Sequence, residues 1–143
     1  MAKADIQMPE NFLKSIRRLG SEEDRIAESV LEAGAEVVET NVRSRLSGVI
    51  GSGTKLPSRS TGQLLSSLGV STVKLDRSGN HNIKVGFAEP RSGGKSNAKI
   101  ANILEYGRHG QPAKPFLKPA KTASKAACIE AMRQKFDEEV QKL

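Results

Sequence analysis

The chain has 143 residues, enough for one domain that buries roughly two-thirds of its unfolded surface. Aromatic residues make up only 3% and Trp is absent, so the core has to be aliphatic and alanine-rich, while a formal charge of +7 points to a nucleic acid or an acidic protein as partner. A single cysteine, Cys128, and two histidines exclude an internal disulfide and a Cys/His metal cluster; no apolar run approaches the ~18 residues of a membrane span, and none follows Met1 as a secretory leader would.

The first predicted element is a short amphipathic segment with Phe12, Leu13, Ile16 and Leu19, ending at Gly20. Ser21 followed by Asp24 reads as a new helix start with a variant of the capping box. From 22 to about 46 the apolar residues fall in two helical stripes, Ile26, Val30, Ala33 and Val37 beside Leu31, Val38, Val42 and Leu46. A helix covered by one sheet needs a narrower stripe, so the second should meet another helix or a neighbouring subunit. The remaining face carries Glu28, Glu32, Glu36 and Glu39, either as a solvated strip or as the charge partner of a neighbour.

Residues 48–60, rich in Gly and Ser, are predicted to be a mobile loop, since this composition buries too little surface to order itself. Residues 61–68 allow one or two helical turns. Val70, Thr72 and Leu75 then lead through a turn-rich stretch at 76–82 to Ile83, Val85 and Phe87, and the two runs pair most simply as an antiparallel hairpin with one buried face. A second mobile loop is expected at 90–97. Ile100, Ala101, Ile103 and Leu104 mark a short helix stopped by Gly107.

Pro112, Pro115 and Pro119 keep the next segment extended, with Pro119 in the first turn of the last helix. Ile129, Met132, Phe136, Val140 and Leu143 predict a narrow core-facing stripe on that helix. The fold class is therefore α+β: a small hairpin-based antiparallel sheet covered by a long N-terminal helix and a C-terminal helix, in one domain spanning 1–143.

Catalytic chemistry finds little support. His81 lies between two Asn residues at the expected hairpin tip, His109 lies between glycines with no Ser or Cys nearby, and Cys128 sits among alanines as a small core residue would. Gly93, Gly94, Lys95 and Ser96 stand where a phosphate-binding loop would, but that motif requires glycine where this chain has Glu89, a carboxylate that repels phosphate. The basic residues, among them Arg17, Arg18, Arg43, Arg45, Lys121 and Lys125, are scattered rather than interleaved with stacking aromatics, which weakens a nucleic-acid reading. No enzyme activity, cofactor or metal is expected.

Four motifs in order carry a resemblance: Thr61-Gly62-Gln63-Leu64-Leu65-Ser66-Ser67-Leu68; Val85-Gly86; Ile100-Ala101 with Leu104-Glu105-Tyr106-Gly107; and Pro112-Ala113-Lys114-Pro115-Phe116-Leu117-Lys118-Pro119-Ala120. Together they resemble the neck or tail-component family of long-tailed bacteriophages, small proteins at the head-to-tail joint, related to tail-completion and tail-terminator proteins. The family favours an aromatic before Ala101 and Thr or Ser after Gly107, where this chain has Ile100 and Arg108.

The resemblance implies a structural virion protein made in the host cytoplasm. It implies a homo-oligomeric ring, a hexamer, between the head connector or head-closure protein and the tail terminator or tail tube, with phage DNA passing through and no membrane involved. Alternatives are a tail terminator capping the tube and, from another class, a small basic nucleic-acid-binding protein. The expected contact residues are Glu28, Glu32, Glu36, Glu39, Lys55, Arg59, Glu105, Tyr106, Arg108, Lys114, Phe116, Leu117 and Lys118. Phe116 and Leu117 are also expected to anchor the proline strap on the hairpin.

Overall fold

A computed structural model describes residues 4, 9–50, 62–89 and 96–143. The order is α1 (Glu10–Ser21), α2 (Glu23–Val49), α3 (Gln63–Ser67), β1 (Leu68–Val70), β2 (Lys74–Leu75), β3 (His81–Asn82), β4 (Val85–Phe87), α4 (Asn97–Tyr106) and α5 (Leu117–Gln141). This is the α+β arrangement of a long N-terminal helix, a C-terminal helix and a small antiparallel sheet.

Glu22 alone separates α1 from α2. Ser21 does not cap α2 as its spacing predicts; it ends α1, and its hydroxyl donates to the Arg18 carbonyl. α2 runs through Gly48 to Val49, and Asn97 opens α4, so both expected loops are shorter at these edges; their interiors lie outside the described residues.

The hairpin forms in two parts. Leu68, Gly69 and Val70 pair with Phe87, Gly86 and Val85, while Lys74 and Leu75 pair with Asn82 and His81. Between the parts, Ser71, Thr72 and Val73 oppose only Ile83 and Lys84, one residue more on the first run, which makes the junction a bulge. Ser71 serves it by donating its N–H to the Lys84 carbonyl and accepting the Lys84 N–H on Oγ. At the tip, Asp76 Oδ1 accepts the N–H groups of Ser78 and Asn80, and Gly79 takes φ +81°, a turn chemistry that local Asp and Gly supply.

The core gathers Val42 and Leu46 of α2, Leu64 of α3, Leu68 of β1, Ala101 of α4, Phe116 and Ala120. Phe116, fully buried, meets Phe87 of β4 edge-on, with ring centroids 6.2 Å apart at 71°, so the strap is anchored on the hairpin as the sequence predicts.

α5 packs antiparallel along α2 through small residues. Gly34 lies so close to α5 that an added Cβ would stand 2.7 Å from Met132 Cγ and 3.1 Å from Cys128 Sγ. The inward face of α5 includes Ala120, Ser124 and Glu139, all buried. The predicted stripe faces inward only in part: Met132, Val140 and Leu143 are half-buried, with Met132 against Gly34, whereas Ile129 is 48% and Phe136 44% exposed. Gly34 leaves room on α2 for the Met132 and Cys128 side chains, Ala120 and Ser124 are buried further along α5, and Ile129 and Phe136 turn outward.

The α2–α5 pair is closed at one end by an ion cluster. The Glu139 carboxylate accepts Arg25 Nη1 at 2.6 Å and Lys142 Nζ at 3.2 Å, with Lys135 Nζ at 3.5 Å. Arg25 first, and Lys142 with it, hold its carboxyl down at about 2.

Candidate assembly surface

The segment from Glu105 to Lys118 shows why its residue types stand at these positions. A helix start leaves N–H groups without intrahelical partners. At the start of α5, Glu105 Oε2 accepts the N–H groups of Phe116 and Leu117 at 2.7 and 2.8 Å, and Oε1 accepts that of Lys118 at 3.0 Å. Pro119 has no N–H to satisfy, and Ala120 makes the first helical bond, to the Phe116 carbonyl. One carboxylate from α4 thus caps the whole first turn of α5. Burial raises the Glu105 pKa, but the N–H donors of Phe116, Lys118 and Leu117 outweigh it and bring it below the ordinary carboxylate value.

Bringing Glu105 under α5 requires a sharp reversal. Gly107 makes it at φ +77°, where an added Cβ would meet Ala113 N at 2.7 Å and the Gln111 carbonyl oxygen at 2.9 Å, both backbone atoms that cannot swing aside. The Lys114 N–H then donates to the Leu104 carbonyl at 2.7 Å, and Arg108 bridges to Gln111, so the strap lies back along the end of α4.

Glu105 and Phe116, expected at a contact surface, are therefore interior groups that position the strap. Leu117 is half-buried at the start of α5. Tyr106, by contrast, projects with 79% of its surface exposed; Arg108 and Lys118 are also exposed, and Lys114 is half-buried.

On the acidic face of α2, Glu28, Glu32 and Glu36 form no ion pair among the described residues. Glu39 differs. Its carboxylate holds Arg43 at 2.6 Å, and Arg43 reaches the carbonyls of Leu65 and Leu68, so Glu39 orients a clamp on the end of α3. Lys55 and Arg59 lie outside the described residues.

The remaining chemical candidates have structural surroundings of their own. His81 lies half-buried in β3, not free at the hairpin tip, with Nε2 3.0 Å from Asp24 Oδ1. His109 is exposed in the turn after Gly107, and Cys128 Sγ lies 3.8 Å from Met132 Sδ. Glu89 sits at the start of α4, accepting the Ala98 N–H at 2.7 Å and the Ser96 hydroxyl at 2.9 Å, so a side-chain carboxylate occupies the position a phosphate would take.

Between α5 and the sheet runs a groove of about 650 Å³ with α2 as its floor. Leu31, Val38 and Val42 rise from the floor, Ile83 and Val85 stand on the sheet side, and Cys128 and Met132 on the α5 side; Tyr106 lies at the rim. The second apolar stripe of α2 thus grades from core to groove: Leu46 is core, Val42 is buried in the core and also lines the groove, and Leu31 and Val38 face the groove.

The model of one protein family, HK97-gp10-like, described as "Bacteriophage HK97-gp10, putative tail-component", matches residues 10–107, from the first residue of α1 to the glycine that ends α4. Neither curated proteins nor solved structures give a match. The matched span includes the long helix, the two-part hairpin and the Leu104-Glu105-Tyr106-Gly107 motif whose carboxylate caps α5. With more than half of its length matched, the chain belongs to the HK97-gp10-like family of bacteriophage tail components.

Proposed function

We propose that this tail component joins head to tail as a ring of identical subunits, acting through contacts and without a chemical step. The observation that carries the reading is the spread of uncovered large apolar residues over separate elements: Phe12 and Ile16 on α1, Leu75 on the hairpin, Tyr106 at the end of α4, and Ile129 and Phe136 on α5. A ring subunit needs two unlike surfaces for its neighbours and further surfaces for the layers above and below. A single exposed patch would serve one partner; patches on four elements fit several. The partners proposed are a head connector or head-closure protein on one side and a tail terminator or tail tube on the other, with DNA passing through the opening.

Electron microscopy of particles from a phage lacking this chain tests the reading. Filled heads and separate tails of normal length are expected, with joining restored by added purified protein. Tails of uncontrolled length would instead assign the chain to tail termination, and intact virions would remove it from the joint.

A further inference from the structure

α1 is an amphipathic helix that its own chain leaves uncovered. Phe12, Ile16 and Leu19 recur at i, i+4 and i+7 on one face, yet the helix has no buried residue. This spacing is the anchor pattern with which an amphipathic helix seats in an apolar groove. The same chain carries such a groove, floored by Leu31, Val38 and Val42.

α1 does not reach that groove on its own chain. Antiparallel helices are joined by loops of about two to five residues, whereas Glu22 is the sole residue between α1 and α2. Folding back would unwind helix at the joint; reaching outward would not.

Charge selects the occupant. On α1, Arg17 and Arg18 are exposed and form no ion pair among the described residues, and Lys14 has only a long contact, 3.8 Å, to Glu10. On α2, Glu28 and Glu32 stand three residues before the groove-lining Leu31 and Ala35, close enough to flank whatever lies there. The α5 side of the groove carries Lys118 and Lys121. A basic amphipathic helix therefore fits in one orientation, with its cations toward the carboxylates of α2.

We infer that α1 is an exchange arm: in the assembled ring it occupies the groove of the adjacent copy, and each copy's groove receives the arm of another. This rests on the proposed ring and adds its connecting element. A head-to-tail exchange of this kind is heterologous and closes when the rotation between copies completes a circle.

Cys128 lines the groove, which gives a direct test. Virions carrying Ile16→Cys are treated with a short bis-maleimide, which adds one thiol at each end. The expected result is a ladder of crosslinked copies that disappears when Cys128→Ser is added. A link from position 16 to Cys128 within one chain, or virions containing the protein with no link at all, would overturn the arm while leaving the ring standing; absence of the wild-type protein from virions would overturn the ring.

Phe12→Asp with Ile16→Asp supplies the second readout. Because α1 buries nothing in the isolated chain, its melting temperature should be unchanged, while incorporation into virions falls about tenfold or more, as expected when central anchors of an interface are lost. Unchanged incorporation would contradict the proposal.

Discussion

Replacing Glu105 with Ala should destabilise the chain by about 3 kcal/mol or more, although it removes no large apolar group. Hydrogen bonds to a charged group contribute about 1.5–3 kcal/mol each, and loss of a helix cap alone costs about 0.5–2 kcal/mol. Here three N–H groups lose their acceptor together, one of them on the fully buried Phe116. The effects overlap, so the appropriate figure lies below the sum of three separate bonds.

Glu105→Gln separates capping from packing. A Gln oxygen can still accept from Phe116 and Leu117, but its NH2 would face the Lys118 N–H, donor against donor. About half the loss of the Ala variant is expected. Urea unfolding of the three proteins measures both, and equal stability of wild type and Glu105→Ala would show that α5 is not held from α4.

The same carboxylate gives a pH signature. Its folded pKa is depressed from the ordinary 4.5, so its stabilisation is complete above about pH 4.5 and is lost as pH falls through the depressed value. Glu139, held at about 2 by Arg25 and Lys142, loses its contribution over the same acid range, from 4.5 down to about 2. Wild type should weaken steadily below pH 4.5, and Glu105→Gln should weaken less steeply.

Phe116→Ala should cost about 3–5 kcal/mol, the range for deleting a buried Phe, since the ring is fully enclosed and also gives up its edge contact with Phe87. For a chain of this size the melting temperature should drop by about 10 °C. Phe116→Leu, which keeps most of the volume, should lose less than half as much. Calorimetry on the two variants checks this, and a shift of only a degree or two in Phe116→Ala would mean that the strap is not part of the core.

These two residues mark the boundary of what the sequence shows. Helix α2, the hairpin runs, the Gly107 stop and Pro119 in the first turn of α5 are all legible because each rests on local chemistry: periodicity, turn residues, a glycine stop or a missing N–H. Glu105, by its residue type alone, reads as a contact group. Its real partners are backbone donors eleven to thirteen residues away, and backbone groups leave no mark on residue type.

The face of α5 is misread for a related reason. Periodicity gives weight to large apolar side chains, so Ile129 and Phe136 draw the stripe toward themselves. The buried positions it overlooks are Gly34, Ala120 and Ser124, small residues that periodicity weighs little, of which Gly34 makes room for the Met132 and Cys128 side chains. A buried Glu139 on that face is equally silent until Arg25, from the far end of the sequence, is placed beside it.

Of the residues expected at contacts, Glu28, Glu32, Glu36, Tyr106, Arg108 and Lys118 remain available to partners, whereas Glu39, Glu105 and Phe116 act within the chain. α1 is readable as amphipathic from Phe12, Ile16 and Leu19; that it buries none of them in its own chain is visible only in the fold.

A three-dimensional reconstruction of the head-to-tail joint in the purified virion decides whether a ring of this fold stands there. Copies of the α2–α5 pair with its two-part hairpin are expected in a closed ring around the DNA channel, between connector and tail. Finding the same fold along the tail tube or at its distal tip, with the joint built from other proteins, would contradict the proposed role.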